Sequence, residues 1–148
     1  MNREEIIELI PHREPFLLVD EVLELDERRV VGSKVFQGDE WFFAGHYPGR
    51  PLTPGVLLCE AALQCGAILL AHLRRSGDST PRLPLVTRMD NVRFKRMVRP
   101  GEKILVEVEL CDRLTEAYFL KAKITVEGQL AVRLDFAAIL SSSAAAEG

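Results

Sequence analysis

A lone histidine, His46, sits in the turn GHYPGRP, and a lone glutamate, Glu60, follows fourteen residues later inside an otherwise apolar run. An imidazole that can take a proton and a carboxyl that can give one are the two groups acid/base catalysis needs. Over residues 56–73, fourteen of eighteen side chains are Val, Leu, Ile, Ala or Cys. The helix they imply is apolar on nearly every face and is expected to be buried all round. A carboxylate there is costly unless it is paired, hydrogen-bonded or kept neutral by a raised pKa, so packing alone does not explain Glu60. His46 without that partner would do no more than satisfy backbone carbonyls of its turn.

The elements that must hold this pair follow from periodicity and turn chemistry. Thr53 is a plausible N-cap with Pro54 at the first helical position, a start signal for the long helix. Upstream, residues 3–9 form a short helix with Ile6, Ile7 and Leu9 turned inward, stopped by Pro11. Two strands are expected at 16–25 and 29–36, separated by the charged turn Asp26, Glu27, Arg28. Downstream, a polar loop at 76–81 precedes three strands of alternating apolar residues, at 104–110, 118–126 and 130–140. Arg99, Pro100, Gly101 and Glu102 have the order of a type II turn, and Gly128 marks a hairpin. The sum is an α+β domain, an antiparallel sheet of five or six strands wrapped around one long central helix, over residues 1–140, with 141–148 as a frayed tail.

Bulk properties narrow the function classes. A chain of 148 residues, 47% hydrophobic and 28% charged, suits one soluble globular domain, and a net charge of -3 speaks against nucleic acid as the main partner. Residues 82–99 run against that balance, with Arg82, Arg88, Arg93, Lys95, Arg96 and Arg99 set against Asp90. Taken alone, this reads as a strand edge protected by charge. Cys59, Cys65 and Cys111 have neither the spacing of a zinc site nor that of a disulfide framework, and Cys59 is taken as core. His12 and His72 are assigned structural or solvated places, since no HxH or HExxH accompanies them, and no metal site is expected. The N-terminus MNREEIIELI lacks the features of a signal peptide, which points to a cytoplasmic location. The stretch 55–73 is just long enough to span a bilayer, but Glu60, Gln64 and His72 within it and the strands on either side argue against a span.

Three segments, PHREPFLLVDEVLEL, GHYPGRPLTPGVLLCEAALQ and MDNVRFKRMVRPGEKILVEVEL, occur in this order. Together they resemble the 3-hydroxyacyl-[acyl carrier protein] dehydratases of the FabZ type, over roughly residues 5–140. The middle segment is specific, fixing a glycine nine residues and a glutamate fourteen residues after the histidine. The resemblance implies the hot-dog fold, in dimers or trimers of dimers, with the histidine of one subunit facing the glutamate of its partner. It implies dehydration of a (3R)-3-hydroxyacyl thioester to the trans-2-enoyl product without metal or redox cofactor. In that chemistry His46 suits the base for the C2 proton. Glu60 suits the acid for the leaving hydroxyl, its proton retained through burial. The Gly55 amide, in the first helical turn, can donate to the thioester carbonyl, and the missing side chain lets substrate come close. Gln64, one turn beyond Glu60, would orient the carboxylate, contact substrate or satisfy a buried backbone group.

The same resemblance gives the basic stretch a partner. Acyl carrier proteins are acidic and present substrate on a phosphopantetheine arm, so Arg93, Lys95, Arg96 and Arg99 are candidates for steering them. The chain departs from the family pattern at Glu14, Thr53, Met97 and Arg133, where Tyr, Met, Pro and Glu are usual. These departures bear on substrate identity more than on reaction type. Glu60, where the FabA branch has Asp, favours dehydration without isomerisation. Two rival readings are a hot-dog acyl thioesterase, which has less need of His46, and a non-catalytic acyl-binding module, which has no use for a costly glutamate.

Overall fold

Alternating apolar residues give the second half of the chain strands with one buried face, and those faces close around the apolar helix. The computed structural model describes residues 1–74 and 82–142. In order these form α1 (Arg3–Leu9), β1 (Glu21–Leu25), β2 (Arg29–Val35), a 3-10 turn (Phe43–Gly45), α2 (Gly55–Arg74), β3 (Arg82–Phe94), β4 (Lys103–Leu114), β5 (Ala117–Val126) and β6 (Gln129–Ser142). The six strands make one antiparallel sheet in the order β1-β2-β4-β5-β6-β3. One register row crosses four strands, Val30 to Val108 to Ala122 to Leu134, and belongs to the same buried cluster as Ala61, Ile68 and Leu69 of α2. Burying side chains of this size contributes about 1.5–3 kcal/mol each for the larger ones. This is the hot-dog arrangement expected from the sequence.

The close approach of helix to sheet depends on missing side chains. A Cβ on Gly66 would stand 2.6 Å from Cζ of Phe136, and one on Gly32 would stand 2.8 Å from Sγ of Cys65. The expected turns are present: Gly101 has φ +88° and the Glu102 amide donates to the Arg99 carbonyl at 3.2 Å, while Glu127 and Gly128, both left-handed, join β5 to β6. At the N-terminus, Asn2 and Glu5 form a reciprocal capping box on α1, and Ile10 before Pro11 is extended.

Several expectations change. Of the strand expected at 16–25, only Glu21–Leu25 pairs as β1, because the chain before it is drawn onto α2 by side-chain bonds from Gln64. Thr53 does not cap α2. Its side chain is buried with Oγ1 unpartnered, and the Pro54 carbonyl accepts from the Leu57 and Leu58 amides, so the helix begins one residue later than expected. Nor is α2 buried all round: Val56 is 72% exposed, and Leu57, Glu60 and Leu63 are only partly covered. The sheet wraps one side of the helix and leaves this stripe open. The opposite stripe is packed against the strands, so α2, although long and apolar enough to cross a membrane, is the core helix of a wrapped sheet.

The basic stretch proves to be mostly β3, an edge strand. Its 13 residues pair on one side with β6 and present Leu85, Val86 and Met89 exposed. Ser141 and Ser142, expected in the tail, continue β6 and pair with Leu83 and Arg82, because the long β3 supplies ladder partners that far. The rest of the expected tail and the loop expected at 76–81 lie outside the described residues.

Candidate functional site

His46 is held by a short turn whose rings anchor it. Phe36 packs edge-on against Phe42 and Phe43, with centroids 5.8 and 6.3 Å apart, and the 3-10 turn built on them delivers the chain to His46. The His46 and Leu52 backbones then clamp the loop. The Leu52 amide donates to the His46 carbonyl at 3.0 Å, and the imidazole Nδ1 lies 2.9 Å from the Leu52 carbonyl oxygen. A carbonyl only accepts, so Nδ1 carries a hydrogen, and in the neutral ring that tautomer leaves the lone pair on Nε2. Tyr47 stacks on the imidazole at 4.3 Å between centroids. These contacts hold the imidazole in place and leave Nε2 as the ring nitrogen turned away from the Leu52 carbonyl.

The space beside it is a cavity of about 740 Å³, lined among others by His46, Thr53, Gly55, Phe94 and Met97. The Gly55 amide, at the start of α2, finds no acceptor among the described residues. It is therefore able to donate to an oxyanion placed in the cavity. The room left by the missing side chain is used by the protein itself: a Cβ on Gly55 would stand 2.6 Å from Cε1 of Phe94. The Phe94 ring is 56% exposed, so it lies over the helix start as a half-wet cover. Thr53 and Met97, two of the departures noted in the sequence, both line this cavity.

Glu60 stands elsewhere in the same protomer. Five residues past Gly55, it is turned well away from the helix start and borders a second cavity of about 200 Å³ that shares no lining residue with the first. Its side chain is 21% exposed, so it is a half-buried group at a groove and not the wholly buried carboxyl expected. Gln64 Nε2 donates to its Oε1 at 3.1 Å. The same amide donates to the Phe16 carbonyl at 2.7 Å and accepts from the Leu18 amide at 2.7 Å. With 0% exposure, Gln64 has no surface on which to meet substrate; it satisfies buried backbone and steadies Glu60.

His12, given a structural or solvated place from the sequence, lies with its Nε2 3.8 Å from Glu60 Oε1. Burial holds its imidazole below the ordinary pKa, opposed by the Glu60 charge and assisted by Arg13. The signal that could have found it is the segment PHREPF, which opens the first of the three segments that carry the resemblance. Phe94 was also missed, its apolar ring being hidden in a basic stretch.

The candidate docking cations separate into two kinds. Lys95 and Arg99 line the large cavity, and among the described residues no carboxylate pairs with either. Arg96 also borders it but is committed elsewhere: its guanidinium donates to Glu102 at 2.7 Å, to Gln129 at 3.0 Å and to the Met97 carbonyl. Arg93 sits across the β3–β6 ladder from Arg133 and does not line the cavity. Arg50, which sequence reasoning left aside, joins Arg99 on an adjoining groove.

Residues 10–135 match the FabA-like domain. The chain is 41% identical over 135 residues to the 3-hydroxyacyl-[acyl-carrier-protein] dehydratase FabZ of Petrotoga mobilis, covering 91% of this chain and 94% of that one. It is 44% identical over 129 residues to the FabZ of Moorella thermoacetica, covering 82% and 88% of the two chains. Among solved structures, it superposes on the dehydratase heterocomplex ApeI:P from Xenorhabdus doucetiae with a TM-score of 0.80 at 15% identity, covering 94% and 92%. A hypothetical thioesterase from Streptococcus pneumoniae, solved with coenzyme A, gives 0.64 at 10% identity, covering 82% and 88%. Both structural likenesses show the fold alone.

Proposed function

This chain belongs to the FabA-like family as a 3-hydroxyacyl-[acyl-carrier-protein] dehydratase of the FabZ type, and from that premise we propose how its residues divide the reaction between two subunits. Substrate enters the large cavity with its thioester carbonyl oxygen at the Gly55 amide. That contact acidifies C2 and stabilises charge that develops on the oxygen. His46 Nε2 takes the C2 proton. Glu60 of the partner subunit gives its proton to the 3-hydroxyl, the C3–O bond breaks, the C2–C3 double bond forms, and water leaves. A proton passing from the His46 imidazolium to the Glu60 carboxylate resets the site. The acid/base groups account for about 10²–10⁴ each and the oxyanion donor for about 10²–10³.

One observation carries this reading: within a protomer, base and acid line separate cavities, and Glu60 lies on the one stripe of α2 that the sheet leaves open. A second copy of the chain is the simplest group able to cover that stripe and unite the pair. The two sheet edges differ in a way that supports it. β1 is five residues long, bulged between Val22 and Glu24 and lined by carboxylates, whereas β3 is long and carries exposed apolar residues. Pairing of β3 with β3 of a partner would bring two open helix stripes together, and dimers can assemble further by threes. The acidic carrier would dock over Lys95 and Arg99, with the pantetheine arm entering past Met97. Single-domain behaviour and a cytoplasmic location complete the reading.

The test is complementation. His46→Ala and Glu60→Gln, each folded, lose activity by about 10²–10⁴. After the two variants are unfolded and refolded together, random pairing makes half the dimers mixed, and each mixed dimer has one whole site of two. Activity then recovers to about a quarter of wild type. No recovery, with mixed dimers demonstrated by mass, would mean that acid and base act within one chain.

A further inference from the structure

We propose that His12 is a positioning residue for Glu60: with Gln64 it holds Oε1 as an acceptor, so that the proton delivered to the leaving hydroxyl rides on Oε2. The inference rests on the acid role given to Glu60 above and goes beyond it, to the atom that carries the proton and the residue that selects it.

The argument starts at Gln64, whose amide orientation is set independently of Glu60. Its oxygen accepts from the Leu18 N–H and its nitrogen donates to the Phe16 carbonyl, two backbone partners that cannot exchange roles. The nitrogen is therefore what faces Glu60, and an oxygen that accepts from it at 3.1 Å is the bare one of the carboxyl pair. His12 approaches the same atom. Its Nδ1 is buried and has no partner. A neutral imidazole has one N–H. Placed on Nδ1, that hydrogen would be a buried unmatched donor; placed on Nε2, it points at Glu60 Oε1 across 3.8 Å. The second arrangement is the less costly one. A closure of about 0.8 Å makes this a hydrogen bond, the kind of tightening that catalytic contacts undergo when substrate arrives.

Two neutral donors on Oε1 leave Oε2 for the proton and fix the plane of the carboxyl. They also stabilise the carboxylate formed after transfer without placing a formal charge beside it. The surroundings keep this arrangement simple. Desolvation favours a neutral His12. The other residues around the small cavity, among them Leu63, Pro84, Val86 and Phe136, are apolar. Arg13, the nearest cation on the same segment, spends its guanidinium on the carbonyls of Ile10 and His12. His12 is thus the titratable group that faces Glu60 among the described residues.

The experiment compares His12→Ala and His12→Gln in the full chain, with Glu60→Gln as reference, on a carrier-bound 3-hydroxyacyl substrate. Glutamine can bring an amide N–H close to the place of Nε2 and cannot titrate. His12→Ala should lower kcat by about tenfold or more with KM within about twofold. Loss of a donor to the carboxylate favours its protonated form, so the alkaline limb of the kcat profile should move to higher pH. His12→Gln should restore kcat to within about threefold of wild type and return the limb to its place. Should the alanine variant not fold, the glutamine variant decides alone: wild-type kcat and limb support the proposal, and a folded but slow enzyme overturns it. A folded His12→Ala with unchanged kcat and pH limb also overturns it. If Glu60→Gln is itself fully active, the acid assignment has failed instead, so the two failures are told apart.

Discussion

Replacing Gln64 by leucine should cost stability and rate together, because one buried amide serves both. Gln64 is wholly buried and uses three hydrogen bonds, to the Leu18 amide, the Phe16 carbonyl and Glu60. Leucine fills similar volume but leaves the Leu18 N–H orphaned in the core, at about 1–3 kcal/mol, and the half-buried Phe16 carbonyl short of a donor, at about 1 kcal/mol. The added apolar burial offsets about 1 kcal/mol, which leaves a net loss of about 1–3 kcal/mol. For a chain of this size that corresponds to a fall in Tm of about 3–10 °C. Thermal unfolding of wild type and Gln64→Leu at equal protein concentration measures it, since association makes Tm concentration-dependent. Hydrogen exchange at the Leu18 amide should quicken in the variant. In the same protein kcat should fall by about tenfold or more, as Glu60 loses a donor. A Tm within about 2 °C of wild type together with a protected Leu18 amide would refute the claim that this side chain ties the segment before β1 to α2.

Other consequences follow from single contacts. Gly55→Ala should fold nearly as well as wild type, because the half-exposed Phe94 ring can swing aside, yet lose kcat/KM by about 10–100-fold as a methyl group and the displaced ring crowd the oxyanion position; steady-state kinetics beside a melting curve checks this, and wild-type kcat/KM would count against the placement. Burial pushes the Cys65 thiol up to about 12, above its exposed value. Since the folded form holds its proton longer than the unfolded, the stability this contributes is whole below about pH 9 and is lost as pH rises from there, at about 1.4 kcal/mol per unit. Urea unfolding at pH 8, 9 and 10 should show a steeper decline for wild type than for Cys65→Ala, and parallel curves would contradict it. Lys95→Glu and Arg99→Glu should raise KM for carrier-bound substrate several-fold and flatten its salt dependence. Arg96→Met should chiefly loosen the turn that Glu102 holds; KM effects of equal size at all three positions would undo the distinction.

What could be read along the chain was whatever depends on near neighbours. Alternation at residues 104–140 fixes three strands and their buried faces, and Pro100-Gly101 and Gly128 fix turns, because side-chain direction and backbone sterics act over two to four residues. The spacing of His46, Gly55 and Glu60 is likewise local, a loop and the helix it opens. The helix periodicity even holds the hint that Gly55 and Glu60 face apart.

Tertiary structure decided the pairings between distant segments. His12 reaches Glu60 from 48 positions away, and Gln64 clamps Phe16 and Leu18, only because the chain before β1 crosses α2. Arg96 is withdrawn from the proposed docking face by Glu102 and Gln129, which a count of positive charges does not see. The stripe of α2 that holds Glu60 stays open because β3 ends the sheet beside β6 and, among the described residues, no further strand pairs with it. Sequence patterns report which face of an element is apolar. Which neighbour covers that face, and which stretch of it is left uncovered, is settled when the sheet closes around the helix and runs out of strands.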